Sequence, residues 1–312
     1  TLSALRRSFD VDQEEFEEGY LNYVKEIVAN LAIERENNDA PPMTLAQLVR
    51  AHDEKPDDIG ISARLAEAYV ARKNYPDARK LAEKVLEAKP NDPLASYVLA
   101  KIRLVIGEDA EATALLEKAV DREHPEAKSL GLLASLKLAA QEYEEASELY
   151  RIAARTWPDD TQWTKSLAKL YLKTGADKQL AKVLAELAEA DADDFIVRKK
   201  LAYLALEAKK YAEASRWASD ALHVQVTDAD LHRLWGEALV AQSQYPEAID
   251  EYKTAISLDE KQPAWRFALA DACIQSGDMK QARTVLKRLL ELDEDYPGAT
   301  LLLESLEESP AP

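Results

Sequence analysis

The chain has 312 residues and sets 58 aspartates and glutamates against 40 lysines and arginines, a net charge of −18. Its one cysteine, Cys273, excludes a disulfide-stapled fold, and the acidic balance disfavours nucleic acid, whose phosphates it would repel. Eight glycines offer few cheap sites for positive φ, against a glycine-dependent sandwich, barrel or nucleotide-binding fold, and no run nears the ~18 apolar residues of a membrane-spanning helix.

In chain order, Phe16, Tyr20, Val24, Ile27 and Leu31 recur at helical spacing and predict a helix starting near Asp12, with residues 1–24 as an N-terminal capping segment. A start at Thr1 rather than Met predicts a fragment or a processed product. Beyond it lies an internal repeat. Stepping Leu65-Ala66 forward by 34 gives Leu99-Ala100, Leu133-Ala134, Leu167-Ala168, Leu201-Ala202, Trp235-Gly236 and Leu269-Ala270. Ala78 steps in the same way to Ala112, Ala146, Leu180, Ala214, Ala248 and Ala282. Seven units of 34 fill 59–296 without an insertion or deletion. Residues 25–58 keep the register at Val28, Leu31-Ala32, Leu48, Ala51 and Pro56, and predict a degenerate unit with its turn at Asn37 to Pro42. Residues 297–312 predict a capping helix over Ala299 to Leu306 and a frayed tail.

Each unit reads as two amphipathic helices. Apolar residues at positions 3, 7 and 10 (Trp163, Leu167 and Leu170 in the fourth unit) share one helical face. Small residues at positions 8 and 20 predict close approach of the two helices. Turns such as Asn74-Tyr75-Pro76 place proline at the opening of the second helix, and Ser276-Gly277-Asp278 supplies a glycine C-cap. Asp or Thr before the next unit predicts an N-cap.

This pattern resembles the tetratricopeptide repeat (TPR), most closely in the unit running from Asp230-Leu231-His232-Arg233-Leu234-Trp235-Gly236 through Tyr245-Pro246-Glu247-Ala248 to Tyr252 and Ala255. The resemblance implies an all-α fold, a right-handed superhelix whose concave face is lined by first helices at positions 2, 5, 9, 12 and 13. Leu180 departs from the family's small residue at position 20 and predicts looser or shifted packing in the fourth unit.

Residue chemistry gives no catalytic constellation. The histidines His52, His124, His223 and His232 lack metal-ligand spacing; His223 and His232 straddle one loop and read as solvated side chains, with a shared metal site as the less favoured alternative. Cys273 sits at a packing position and reads as core. The sequence therefore predicts no enzyme, cofactor or metal within this chain. A second resemblance concerns Ser8 to Asp12 and Glu15-Phe16-Glu17-Glu18-Gly19-Tyr20-Leu21-Asn22-Tyr23, similar to the segment that closes the catalytic domain of some bacterial gluzincin (peptidase MA-like) metallopeptidases. That family's H-E-x-x-H motif is absent, so no catalytic residue carries over; the competing reading of the segment is an amphipathic capping helix.

Charge is uneven along the array: −8 over 1–58, −3 over 59–160, +1 over 161–228 and −8 over 229–312. The concave positions of the less acidic middle carry Lys165, Lys169, Lys173 and Lys199, with Lys200 adjacent, Arg233 in the next unit and Lys128 in the preceding one. Lys165, Lys169 and Lys173 stack at i,i+4, an arrangement that destabilises a helix unless something anionic relieves it. Either acidic neighbours and water neutralise them, or they form a groove for an acidic peptide or a carboxylate. The carboxylate clamp of chaperone-binding TPR domains is matched only in part, since Lys169, Tyr203 and Lys200 stand at its positions 9 and 6, so its specificity is not carried over. The second unit places Leu94, Tyr97, Leu104 and Val105 on the corresponding surface, an apolar groove for a partner or for a folded-back segment of the chain. The expected function is a non-catalytic scaffold that binds a peptide or protein segment, with no nucleic acid and no membrane insertion, and with self-association through the array ends left open. The alternative is the TPR accessory region of a larger gluzincin metallopeptidase whose zinc site lies outside this chain.

Overall fold

The computed structural model describes residues 43–308. The expected capping helix of 1–24, the metallopeptidase-like segment, the first helix of the degenerate unit with its turn near residue 40, and the tail at 309–312 all lie outside these residues. Sixteen α-helices and no strand occur among the described residues, and none of the helices is long and apolar enough to cross a membrane. The chain divides into two compact units between Ile106 and Gly107.

The first unit contains α1 (Leu45–Glu54), α2 (Ile59–Ala71), α3 (Tyr75–Ala88) and α4 (Pro93–Val105). Helix α1 opens with a capping box, Thr44 accepting from the Gln47 backbone N–H while the Gln47 side chain accepts from that of Thr44. Ala66 and Ala78, both fully buried, let α2 and α3 approach closely, and Val85, Ala95 and Val98 extend the core onto α4.

The second unit contains α5 (Asp109–Ala119), α6 (Ala127–Ala139), α7 (Tyr143–Thr156), α8 (Thr161–Thr174), α9 (Asp177–Ala190), α10 (Phe195–Glu207), α11 (Tyr211–Val224), α12 (Ala229–Ala241), α13 (Tyr245–Leu258), α14 (Pro263–Gln275), α15 (Met279–Leu292) and α16 (Ala299–Glu308). From α6 to α15 each helix packs on the next in sequence. Helix α16 packs on α15: Ala299 and Leu306 are buried, and Arg283 Nε donates to the Leu306 carbonyl at 3.0 Å.

Local chemistry explains why the period holds. First helices begin after Asp58, Asp92, Glu126, Asp160, Asp194 and Asp228, 34 residues apart, and each carboxylate accepts a backbone N–H from the helix's first turn. These caps satisfy orphan donors and place negative charge at the positive end of the helix dipole. Position 15, just past the first helix, has positive φ in all seven units: Lys73, Gly107, Gln141, Gly175, Lys209, Ser243 and Gly277. Prolines 76 and 246 stand one residue further into their helices than the expected first position, after Tyr75 and Tyr245. Position 20 is buried in every unit, including Leu180. Ala168, the facing position 8, is 9% exposed, while Ala66, Ala100, Ala134, Ala202 and Ala270 are fully buried.

Candidate binding surface

Helix α8 is the clearest example of how the repeat presents a polar face. Asp160 caps its start and Gly175, in the left-handed conformation, ends it. Trp163, Leu167, Leu170 and Tyr171 turn inward and are buried. The 3.6-residue period therefore turns Lys165, Lys169 and Lys173 outward, and all three are exposed. None has a carboxylate within ion-pairing distance among the described residues; Lys173 Nζ lies 5.6 Å from the centre of the Tyr143 ring on α7.

The next two first helices differ. Lys199 on α10 is only 27% exposed in its side chain and pairs with Asp228 at 2.7 Å and Asp230 at 3.8 Å. Arg233 on α12 pairs with Asp230 at 3.0 Å and Glu237 at 2.7 Å, and its guanidinium lies 6.0 Å from the Tyr203 ring centre. The Tyr203 hydroxyl donates to Asp230. Lys199 and Arg233 are thus brought together through Asp230, in a network already neutralised by acids. For Lys199 the acidic neighbours are therefore present. Lys200 is half-buried without an ion pair among the described residues, and Lys128 is exposed near the start of α6. Sequence reasoning missed Asp228 and Asp230; the signal was their place at the end of one unit and position 2 of the next, where a first helix meets its predecessor.

On α4, Leu94 and Tyr97 are half-buried against the first unit's core, Leu104 is half-buried, and Val105 is 58% exposed.

Lys137, His232 and Cys273 are among the ionisable groups with displaced pKa values. Lys137 on α6 is buried and meets Glu117 at 2.5 Å, Glu142 at 2.9 Å and Glu145 at 3.1 Å; these bonds outweigh burial and raise its pKa. His232, read as solvated, is instead buried between Glu251, 2.6 Å from Nδ1, and the Val226 carbonyl, 2.9 Å from Nε2. Burial lowers its pKa, but the Glu251 and Val226 bonds and the charges of Glu251 and Asp228 prevail and raise it. His223 is apart from this pair, exposed, with Nδ1 on the Ser219 carbonyl. Cys273 is fully buried, as its packing position implied, and burial pushes its thiol pKa up. No three His, Cys, Asp or Glu side chains are grouped to hold a metal among the described residues.

Family comparison agrees with this geometry. Residues 34–102 and 239–306 match one tetratricopeptide repeat profile and residues 132–179 another, together more than half of the chain. The chain belongs to the tetratricopeptide repeat family. Residues 71–153 also match the profile of anaphase-promoting complex, cyclosome, subunit 3. Anaphase-promoting complex subunit 7 of Mus musculus and of Homo sapiens are each 38% identical over 95 residues, which is 30% of this chain but only 16% of either relative. Among solved structures, YrrB, a TPR protein described as having an unusual peptide-binding site, aligns with a TM-score of 0.48 at 13% identity over 57% of this TPR chain and 92% of its own. A MamA structure aligns at 0.45 and 17% identity, over 53% and 90%.

Proposed function

We propose that this TPR chain is a protein-interaction scaffold and that the lysine column of α8 holds an acidic peptide segment. The observation that carries the reading is the lack of any carboxylate partner for Lys165, Lys169 and Lys173 among the described residues, in a protein of charge −18. Where Lys199 and Arg233 have local acids to balance them, the α8 column has none, so a ligand's carboxylates would relieve the repulsion between its members. The scaffold role is supported by the family and by the name of the anaphase-promoting complex subunits, which are components of an assembly. In this reading Lys200 and Lys128, on neighbouring first helices, would add to the column, and the Lys199–Asp230–Arg233 network would border it. The apolar positions of α4 would offer a separate contact.

The test is a titration of labelled acidic peptides, and of neutral peptides with the same apolar residues, into the intact chain. Acidic peptides should bind more tightly, and their affinity should fall as salt rises past ~0.15 M, where the screening length is about 8 Å. Reversing Lys165 and Lys169 to glutamate should weaken binding at least tenfold without lowering the melting temperature. Equal affinity for both peptide sets, or an unaffected double variant, overturns the reading.

A further inference from the structure

A second surface lies on the opposite side of α8. Thr164, Leu167 and Tyr171 occupy positions 4, 7 and 11 of the fourth unit, about half a turn from Lys165, Lys169 and Lys173. They floor a cleft of about 530 Å³ whose walls are α7 and α9. The same groove recurs in the last unit, where α13 and α15 wall α14, but there it measures about 320 Å³. Its lining corresponds position by position: Lys253 for Arg151, Ile256 for Ala154, Arg266 for Thr164, Leu269 for Leu167 and Val285 for Val183.

The two grooves differ at position 4. Arg266 spans its groove and donates to the Glu260 carbonyl at 2.6 Å. Arg198 donates to the Ala188 carbonyl in the last turn of α9 and to the Asp191 carbonyl beyond it, and His232 reaches the Val226 carbonyl in the loop preceding its unit. Thr164 is too short for this, and its side chain makes no hydrogen bond among the described residues. Ala154 in place of isoleucine removes further volume from the wall. Leu180 and Ala168, the latter 9% exposed, belong to the same unit.

The lining states what would fit. Arg151 and Arg155 on one wall use Nε only on backbone carbonyls of their own helix, at 3.3 Å each, and have no carboxylate partner among the described residues. Lys182 on the other wall has none either, and Glu186 is the single acid of the lining. Between these cations the floor carries Leu167 and the Tyr171 ring beside Thr164. We infer that the cleft between α7 and α9 is a docking site for a partner's peptide segment in which an acidic residue adjoins a bulky apolar one. The carboxylate would meet Arg151 and Arg155 while the apolar side chain occupies the space that an arginine fills in the seventh unit. Polyanionic nucleic acid fits less well, because only three cations face the cleft in a chain of charge −18. The inference stands apart from the lysine column, which faces the other way.

The experiment selects a random 12-residue phage-displayed peptide library against the immobilised intact chain. Selected peptides are then measured by fluorescence anisotropy against wild type, Thr164→Arg, Arg151→Glu/Arg155→Glu and Lys165→Glu/Lys169→Glu. Thr164→Arg copies what positions 198 and 266 already hold, so folding should survive, and circular dichroism checks it. The expected result is a consensus of Asp or Glu beside Leu or Phe, with at least tenfold weaker binding to the first two variants and unchanged binding to the third. Peptides that lose affinity only in the third variant bind the lysine column and overturn the cleft. So does a selection with no acidic-apolar consensus, recovery of peptides displaced by oligothymidylate, or full affinity retained by Thr164→Arg.

Discussion

A Cβ placed on Gly131 would stand 2.9 Å from Cη2 of Trp163, so the indole of α8 rests directly on the backbone of α6. Trp163 fills position 3 of the fourth unit, where other units have residues as small as Ala95 and Ser129, and the missing side chain at Gly131 makes room for it. Gly131→Ala would ordinarily strengthen a helix by about 1 kcal/mol. Here overpacking opposes that gain at roughly 1–3 kcal/mol, since the ring must move. The expected outcome is a net loss of stability in urea denaturation, reversed when Trp163 is also shortened to leucine. A Gly131→Ala chain more stable than wild type would show that the ring shifts freely.

The conformation of position 15 makes a second prediction, of opposite sign. Lys73, Gln141, Lys209 and Ser243 hold left-handed backbone there with side chains that disfavour it. The left-handed region costs an L-residue roughly 1–2 kcal/mol, and glycine returns about 0.5–1 kcal/mol of that as unfolded-state entropy. Lys209→Gly should therefore raise the melting temperature slightly, by an amount worth up to about 1 kcal/mol. Gly175→Ala should lower it. Identical signs for the two changes would contradict the assignment.

These positions also show what the sequence could and could not reveal. The 34-residue period was legible because a small residue at position 8 and another at position 20 are each demanded by close helix approach, and an acid before each first helix by capping. The left-handed turn was not, because four of its seven residues are not glycine; the geometry is imposed by the second helix packing back on the first, and composition is a poor witness to it. The lysines of α8 were legible from i,i+4 spacing alone. The neutralisation of Lys199 and Arg233 was not, since Asp230 lies in sequence beside one and 31 residues from the other. The cleft needed a comparison of units: Thr164 is unremarked as a threonine and informative only against Arg198, His232 and Arg266.

Lys137 yields a prediction about buried charge. It draws Glu117 of α5, Glu142 at the N-cap of α7 and Glu145 of α7 together, and Glu145 and Glu148 also pair with Arg122 at 3.2 and 3.0 Å. Removing one partner of a buried pair costs about 3–5 kcal/mol, and the partial exposure of these glutamates brings the expected figure for Lys137→Met to roughly 1–3 kcal/mol. Adding Glu117→Gln and Glu145→Gln should recover part of the loss by removing repulsion. Chemical denaturation of the single and triple variants measures both, and a triple variant weaker than Lys137→Met would refute the electrostatic account.

The pH dependence of stability should carry the signature of His232. Both ring nitrogens face acceptors, the Glu251 carboxylate and the Val226 carbonyl, so the folded protein favours the doubly protonated imidazolium. Its folded pKa is raised above the ordinary 6.5. The stabilisation is accordingly complete below the unfolded value and disappears as pH rises through the raised folded one. A charge-assisted hydrogen bond of this kind contributes roughly 1.5–3 kcal/mol. Wild type should therefore exceed His232→Gln in stability by its largest margin in mildly acidic buffer, and the two should converge as pH rises through the raised folded pKa. Nitrogen-15 shifts of the His232 ring give the independent check, reading both nitrogens as protonated in mildly acidic buffer. A margin that grows with pH, or a ring already neutral below its ordinary pKa, would mean that burial, and not Glu251, governs this site.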